Sequence, residues 1–488
     1  MLRIDYQHSR YQQWLLQALG RLAETLSVIK RIAGYAQLIL LLWVADLSCV
    51  APLLAPAYTC RGRPPRDPLA MFRAWLAATV LAIDSPEQLA QALRTDEVLA
   101  VLCGFEPADT PGASTLRDFL RRLSRTLRRR QRRHRPYRKR GKAKKGQKIP
   151  LRRPDVLWRL LPQLDRFSRG DEGLLQQLLV AIAHASAQRG LIDPNDLRVA
   201  GDSILLPSHT SPYGHRTCDC PKDKPCTCPR PFGDPDATWG WDSHRNSWIW
   251  GHRFYEITAA GRRHDLPLYL RSVDANRHDA VSWLLSYTEA RRFYDGWRWS
   301  QAILDSAHDA GAIFDTLRRD GVIAVIDINP AHNPKRPVTL GPDGIPLCPA
   351  GHPMASDGSA NGRTKFVCPA QRKRRGIDCP QPCHAHTVYL SGLEAFRTRP
   401  GIARDSEAWR LAYNQRTACE RSHSRKVNDF HQKTCRSRGR PFRTARYFFA
   451  AFCQHFAAWR DEADLTLSEV LPFLRPWLPA LPGLLQVA

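Results

Sequence analysis

The sequence predicts a mixed α/β domain that follows an all-α region and carries a small cysteine-rich insertion. Three patterns support this fold class. Apolar side chains recur at helical spacing through residues 1–118. From residue 196 onward, short apolar runs alternate with helical segments, as in α/β proteins. Cysteines gather in a Gly- and Pro-rich stretch between residues 334 and 399, which predicts a small separate insertion.

Helix starts in the N-terminal region are marked by polar side chains that can cap a helix. Asp67-Pro68 and Ser85-Pro86 each place Pro in a first helical turn. Ser114 or Thr115 can cap a further helix, whose apolar face is Leu116, Phe119, Leu120 and Leu123. We therefore expect a helical N-terminal domain over residues 1–120, with a role in DNA binding or dimerisation.

A basic segment follows this region. The chain has 73 Lys and Arg against 46 Asp and Glu, a net charge of +27, and 18 of those basic residues lie between Arg121 and Arg153. No acidic residue occurs between Asp118 and Asp155. A solvated linker would not need charges of one sign, so we interpret residues 121–153 as a nucleic-acid-binding arm that includes Arg128, Arg129 and Arg130.

The α/β region is predicted from strands and helices in alternation. The expected strands are 197–202, 254–258, 266–270, 302–305 and 322–326. Helical spacing is present at 309–319, 404–426 and 443–461, and an apolar, Pro-rich tail begins at residue 465. Together these elements predict one domain over residues 154–464, followed by the tail 465–488.

Targeting and membrane signals are weak. The first residues have no apolar signal-peptide core. The apolar stretch from Ala33 to Cys60 is divided by Asp46, Pro52 and Pro56, so we expect a pair of buried helices and no membrane span. The expected location is cytoplasmic and associated with the nucleoid.

Three acidic residues occupy positions suited to metal-dependent chemistry. Asp202 and Asp305 end predicted strands, where side chains point into the crevice of an α/β domain, and Glu420 lies on a predicted helix. Carboxylates can hold Mg²⁺ or Mn²⁺, and a metal pair catalyses in-line phosphoryl transfer. Tyr413, Arg416 and Glu420 share one helix face; the alternative is an ordinary surface Arg–Glu pair.

The motifs around these acids resemble those of bacterial insertion-sequence DDE transposases. Tyr413 to Ser424 resembles the Tyr–Arg–Glu block of that family, and Ala302 to Asp309 its second-aspartate block, in which Tyr usually stands at the position of His308. Val199 to Ser203 resembles the first-aspartate block. Further blocks in the family's order are Gly251 to Tyr255, Leu266 to Leu268, Ala275 to Asp279, Gly62 to Pro68 and Ser114 to Phe119.

This resemblance implies an RNase H-like catalytic core with a mixed sheet flanked by helices. It also implies a magnesium-binding triad of Asp202, Asp305 and Glu420, assisted by Tyr413 and Arg416. The implied activity is cleavage of DNA at the ends of an insertion sequence and strand transfer into target DNA. The implied partners are double-stranded DNA and further copies of the chain, as a homodimer or higher oligomer, with no membrane partner.

One position departs from the family pattern. The family has Lys seven positions after the Glu, whereas this chain has Val427 there and Lys426 one position earlier. Either the helix bends to bring Lys426 to the DNA, or Arg425 or Lys433 takes the phosphate contact. Nearby, Asp309 is expected to cap the next helix, and His278-Asp279 is expected to be structural.

Eight of the 14 cysteines form two groups that are candidate zinc ligands. Cys218, Cys220, Cys226 and Cys228 lie in a loop over residues 215–230; the alternative is a solvent loop of free thiols. Cys348, Cys368, Cys379 and Cys383 lie in a basic insertion over 334–400 that resembles the zinc-ribbon-like insertion of some such transposases.

Two Arg-Gly-Arg-Pro motifs are candidate minor-groove contacts. The second, with Arg438 and Arg440, follows the Glu420 helix and is the better candidate. The rival hypotheses are an RNase H-fold nuclease that cleaves DNA without joining it and a non-catalytic DNA-binding protein derived from a transposase.

Overall fold

The computed structural model describes most of the chain. The described residues are 4–58, 64–124, 156–164, 173–221, 226, 228, 230–243, 245–329, 338–341, 343–360, 362–371, 387–398, 401–404 and 406–480. The basic arm, with Arg128 to Arg130, and the residues Cys379 and Cys383 lie outside them.

The N-terminal region is helical, as predicted. Its helices are α1 (His8–Leu22), α2 (Leu26–Gly34), α3 (Ala36–Val44), α4 (Ala51–Leu54), α5 (Pro68–Val80), α6 (Pro86–Thr95), α7 (Glu97–Cys103) and α8 (Ala113–Leu123). Asp67 accepts a hydrogen bond from the Leu69 N–H, and Ser85 forms a capping box with Gln88, which confirms both predicted starts. Helix α8 buries the predicted apolar face, but the prediction that Ser114 or Thr115 caps it is wrong, because the capping position is Gly112 and no side chain caps the helix.

The C-terminal part supplies nine more helices among the described residues. They are α9 (Val156–Leu160), α10 (Gly173–Gln188), α11 (Asp279–Phe293), α12 (Gly311–Arg319), α13 (Gly392–Thr398), α14 (Glu407–Asn414), α15 (Thr417–Asn428), α16 (Arg440–Ala463) and α17 (Leu467–Val470). The single helix expected over 404–426 is thus two helices, α14 and α15, with a break at Gln415 and Arg416.

A mixed six-stranded sheet lies among these helices. Its strands are β1 (Leu197–Pro207), β2 (Thr238–Asp242), β3 (Ser247–Ala260), β4 (Pro267–Val273), β5 (Trp299–Leu304) and β6 (Ile323–Ile326). The order is β2-β3-β1-β5-β6, and β4 also pairs with β3. Strand β3 is antiparallel to β1, β2 and β4, whereas β1, β5 and β6 are parallel.

The insertion contains its own small sheet. The strands β7 (Ala355–Ala360), β8 (Arg363–Val367) and β9 (Thr387–Ser391) pair antiparallel in that order. Cys348 is buried beside Met354 and Val388. A separate small unit within 334–400 was predicted from composition, and this sheet gives it a structural basis.

The N-terminal helices and the large sheet share one hydrophobic core. Helix α16 connects them, because its residue Phe449 contacts Phe72 of α5 at a ring-centroid distance of 5.0 Å, while Tyr447 stacks on Phe254 of β3 at 4.2 Å. Arg446 donates hydrogen bonds to the carbonyls of Ala78 and Ile83 at 3.2 and 3.0 Å. Burial of this aromatic surface fixes the helical region against the sheet.

In the part of the chain that the structure describes, no single helix is long and apolar enough to cross a membrane. Helices α2 and α3 reach that length only together, and they meet at an angle of 63°.

Candidate active site

Asp202 and Asp305 lie on neighbouring parallel strands. In the pairing of β1 with β5, Ala200 is opposite Ile303. Two residues further along each strand direction are Asp202, within β1, and Asp305, immediately after β5. The parallel register therefore brings the two carboxylates to the same level, where β5 ends. The expectation that Asp202 also ends its strand is wrong, because β1 continues to Pro207 in its pairing with β3.

The strand that carries Asp202 can pass there only because residue 201 is glycine. A Cβ atom on Gly201 would lie 2.8 Å from the Tyr255 hydroxyl oxygen and 2.8 Å from the ring of Trp283. Both of those side chains are buried. The Gly201-Asp202 sequence thus reflects close packing under the site.

Asp305 is held by hydrogen bonds. It accepts from His308 Nδ1 at 2.6 Å and from the Ala307 N–H at 3.1 Å, while His308 Nε2 bonds to the Tyr255 hydroxyl at 2.8 Å. Burial alone would raise the pKa of Asp305, but the bond to His308 and its charge keep that pKa below its ordinary value. The buried imidazole of His308 therefore fixes an ionised Asp305.

Glu420 reaches the same region from helix α15. Ala418, Cys419 and Ser422 of this helix are buried, which leaves Glu420 exposed at the site. Arg416 Nη1 donates to Glu420 Oε1 at 2.5 Å. Tyr413 stacks on Trp409 and lies beside the Arg416 guanidinium, 5.9 Å from it, so Tyr413 supports Arg416.

All three predicted acids line one cavity of about 600 Å³. A fourth carboxylate, Asp279, lines it as well and accepts a hydrogen bond from the Ser203 hydroxyl at 2.5 Å. Burial, followed by the negative charges of Asp279 and Asp305, raises the pKa of Asp202 to about 7. The cavity therefore concentrates negative charge that a cation can offset.

The carboxylates are more widely spaced than ligands of a single closed ion site. Among the described residues, the groups whose ligand atoms all lie within 4.8 Å of one another do not include the triad. Two metal ions about 4 Å apart, with a substrate phosphate between them, need a wider arrangement than one caged ion. An open site of acidic oxygens matches the preference of Mg²⁺ for carboxylates and substrate phosphates.

Basic and aromatic side chains surround the acids in the same cavity. Arg245, Arg253, Arg416 and Lys433 line it, together with Trp241 of β2. Lys433 was expected only as an alternative contact, and Trp241 was not predicted as a site residue. Asp279 was expected to be structural, but it lines the cavity. The block Ala275 to Asp279 contained a signal for Asp279; His278 is structural as expected, since it caps α11.

Lys426 requires a correction. It was expected at the DNA, but its side chain has no exposed surface, and its Nζ donates to Glu256 Oε1 at 3.0 Å. Six positions after Glu420, the helix turns Lys426 toward the sheet. Of the two alternatives, Lys433 lines the cavity and Arg425 is not among the residues that do so.

Arg438 and Arg440, the other predicted DNA contacts in this region, differ in exposure. Arg438 is exposed, whereas Arg440 is partly buried, with its backbone N–H bonded to Asp236 and its guanidinium to the Ser272 carbonyl. Arg440 thus anchors the start of α16.

The expectation that Asp309 caps a helix is wrong. The Asp309 side chain is buried and accepts hydrogen bonds from the Arg397 guanidinium and the Asn329 N–H.

The structure brings the predicted zinc ligands together in one of the two cysteine groups. The sulfurs of Cys218, Cys220, Cys226 and Cys228 all lie within 4.8 Å of one another. In the second group Cys348 and Cys368 are buried, and the other two cysteines lie outside the described residues. A zinc site in the insertion stays a prediction.

The fold and cavity define an α/β protein with a helical N-terminal region and an acidic, phosphate-compatible site. Residues 36–122, which include α3 to most of α8, match the family described as Transposase domain (DUF772). This match supports a transposase of the insertion-sequence type, and a transposase domain implies binding to DNA. The comparison with curated proteins gave no match.

Proposed function

We propose that the chain is a DDE-type transposase with an RNase H-like catalytic core, which cleaves DNA at the ends of its element and transfers the strands into target DNA. The observation that carries this proposal is the convergence of Asp202, Asp305 and Glu420 on one cavity from two parallel strands and one helix. The mixed sheet flanked by helices supports the proposed core, and the transposase-domain match supports the biological role.

The donor set fits Mg²⁺ or Mn²⁺. Asp202, Asp305 and Glu420 supply carboxylate oxygens, and Asp279 adds negative charge beside them. When bound, such ions stabilise the charge that develops at the scissile phosphate and activate the attacking oxygen. His308 keeps Asp305 ionised and oriented through its 2.6 Å hydrogen bond.

The basic side chains of the cavity bind the DNA backbone. Arg416, Lys433 and Arg245 face the same space as the acids and can pair with phosphates on either side of the scissile bond. Arg416 already contacts Glu420, so a phosphate bound by Arg416 lies next to the metal-binding oxygens. Joining requires two element ends in one complex, which is consistent with a synaptic dimer or higher oligomer.

The test is DNA cleavage and strand transfer with Mg²⁺ and DNA that carries the element's ends. We expect Asp202→Asn, Asp305→Asn and Glu420→Gln each to reduce cleavage at least a thousandfold while DNA binding, measured by gel shift, changes less than threefold. Asp295→Asn and Glu407→Gln are matched controls, since both acids are exposed and lie outside the cavity.

Three outcomes would contradict the proposal. Cleavage that survives Asp305→Asn rejects the triad, and DNA binding without any metal-dependent cleavage favours a non-catalytic DNA-binding protein. Cleavage without strand transfer instead identifies a nuclease that uses the same site.

A further inference from the structure

The loop between β1 and β2 is closed at its base by hydrogen bonds. The His215 N–H donates to the Pro231 carbonyl at 2.8 Å, which brings the two sides of the loop together. Below this point Asp234 accepts from the Ser208 hydroxyl at 3.0 Å and from His252 Nε2 at 2.7 Å. The loop is therefore anchored on the strands that border the cavity.

Four thiols converge within this loop. Cys218 Sγ lies 3.2 Å from Cys226 Sγ, and Cys220 Sγ lies 3.6 Å from Cys228 Sγ. All four sulfurs fall within 4.8 Å of one another, and all four cysteines are free and half-buried. Four sulfurs around one zinc ion, at about 2.3 Å from it, are about 3.8 Å apart. The cluster has the dimensions of a tetrahedral zinc site.

A second cluster of residues that could bind a metal differs from the four thiols. Glu256, Cys419 and His423 also lie within 4.8 Å of one another and are buried. There the Lys426 ammonium already occupies the place of a cation, since it pairs with Glu256 at 3.0 Å. At the thiols of the loop the described cation is the Arg216 guanidinium, which hydrogen-bonds to the Cys218 sulfur and, at 3.2 Å, to the Pro221 carbonyl.

The charge of the loop indicates a structural role for the metal. Residues 214–231 contain four basic and two acidic side chains. A Zn²⁺ ion with four thiolates carries two negative charges, so the metallated loop is neutral. A neutral loop has no net positive charge to attract DNA phosphates. The loop is too short to form a hydrophobic core, and bound zinc would supply the stability that such a core provides in larger units.

We propose that Cys218, Cys220, Cys226 and Cys228 bind one structural Zn²⁺ ion, which fixes the loop between β1 and β2 beside the acidic cavity. The site has all four positions filled by protein ligands, so it is closed to water and takes no part in phosphoryl transfer. The proposal does not depend on the chain's being a transposase.

The test is the zinc content of the full chain, purified under reducing conditions. We expect Cys220→Ser/Cys226→Ser to contain one zinc ion per chain fewer than the wild type, by elemental analysis and native mass spectrometry. Cys49→Ser is the control, because Cys49 is a free, partly buried cysteine far from the loop in sequence, and should leave the content unchanged. Zinc bound by the second cysteine group would be present in both proteins, so it cancels in the difference between wild type and double variant.

A second measurement probes the geometry of the bound metal, and its protease arm uses the wild type alone. Replacement of zinc by Co²⁺ in the wild type should give the intense visible bands of tetrahedral thiolate coordination, and these bands should be weaker in the double variant. Chelation should also speed tryptic cleavage after Lys222 at least tenfold. Equal zinc and cobalt signals in wild type and double variant would overturn the proposal. So would a zinc-free loop whose mass is 4 Da lower without reductant, which indicates two disulfides.

Discussion

Lys426 and Glu256 carry opposite charges in the interior of the protein, and neither side chain has exposed surface. Lys426 also donates to Ser422 and Gln454, while Glu256 accepts from the Tyr447 hydroxyl at 3.2 Å and lies 3.6 Å from His423 Nε2. Burial alone would raise the pKa of Glu256, yet the charge of Lys426 keeps that pKa below its ordinary value. Removing one partner of such a pair leaves a buried charge without compensation.

We expect Lys426→Met to lower the free energy of unfolding by about 3–5 kcal/mol, as measured by urea denaturation. The double variant Glu256→Gln/Lys426→Met should recover most of this loss, because no uncompensated charge remains. Arg425→Met, one position earlier on a partly exposed face, is the control and should change stability by less than about 1 kcal/mol. Equal losses in the single and double variants would argue against the ion pair.

The same pair predicts a pH dependence of stability. The folded pKa of Glu256 lies below its unfolded value of 4.5. Its contribution is therefore fully present above the unfolded pKa and is lost as the pH falls through the folded pKa. In Glu256→Gln/Lys426→Met, the unfolding free energy should fall less steeply below pH 4.5 than in the wild type.

At the scale of elements, the hairpin of β2 and β3 presents aromatic surface at the cavity. Trp241 is 41% exposed and packs edge-on against Trp248, which is 62% exposed, at 5.4 Å between ring centroids. Trp241 also lines the cavity, together with Arg245 from the turn of the hairpin. Exposed rings beside a phosphate site are suited to stacking on bases.

On the proposed function, Trp241→Ala should weaken binding to DNA that carries the element's ends about tenfold, because stacking on a base contributes about 1–3 kcal/mol. Trp239→Ala is the matched control: Trp239 lies on the same strand and is 40% exposed, but it contacts Trp250 and does not line the cavity. Fluorescence anisotropy measures both. Equal effects of the two substitutions would exclude a specific role for Trp241.

Sequence patterns predicted the elements better than the contacts between them. Helix starts at Asp67 and Ser85 follow from local capping, and the placement of Asp202 and Asp305 follows from strand order. The burial of Lys426 and the pairing of Asp309 with Arg397 depend on side chains 170 and 88 residues away, so neither could be derived from local spacing. The place of Asp279 in the cavity, where a structural role was expected, could not be derived for the same reason, because its partner Ser203 is 76 residues distant.

At the scale of the whole molecule, the net charge of +27 predicts strongly salt-dependent DNA binding. Replacing Arg128, Arg129 and Arg130 with Ala should reduce the slope of log K against log salt by up to about 3, since each phosphate contact contributes about 0.9. The control replaces Arg318, Arg319 and Arg410, which pair with acidic neighbours. An unchanged slope in the arm variant would contradict a role in DNA binding.

The aromatic contacts of helix α16 join the helical region and the sheet in one hydrophobic core. The part that matches the transposase family is therefore not an exchangeable module. Recombination that swapped residues 36–122 between related elements would leave Phe449 and Phe452 facing a foreign partner surface. Such chimeras should fold only when the segment 440–463 is inherited from the same parent, so these two segments are constrained to evolve together.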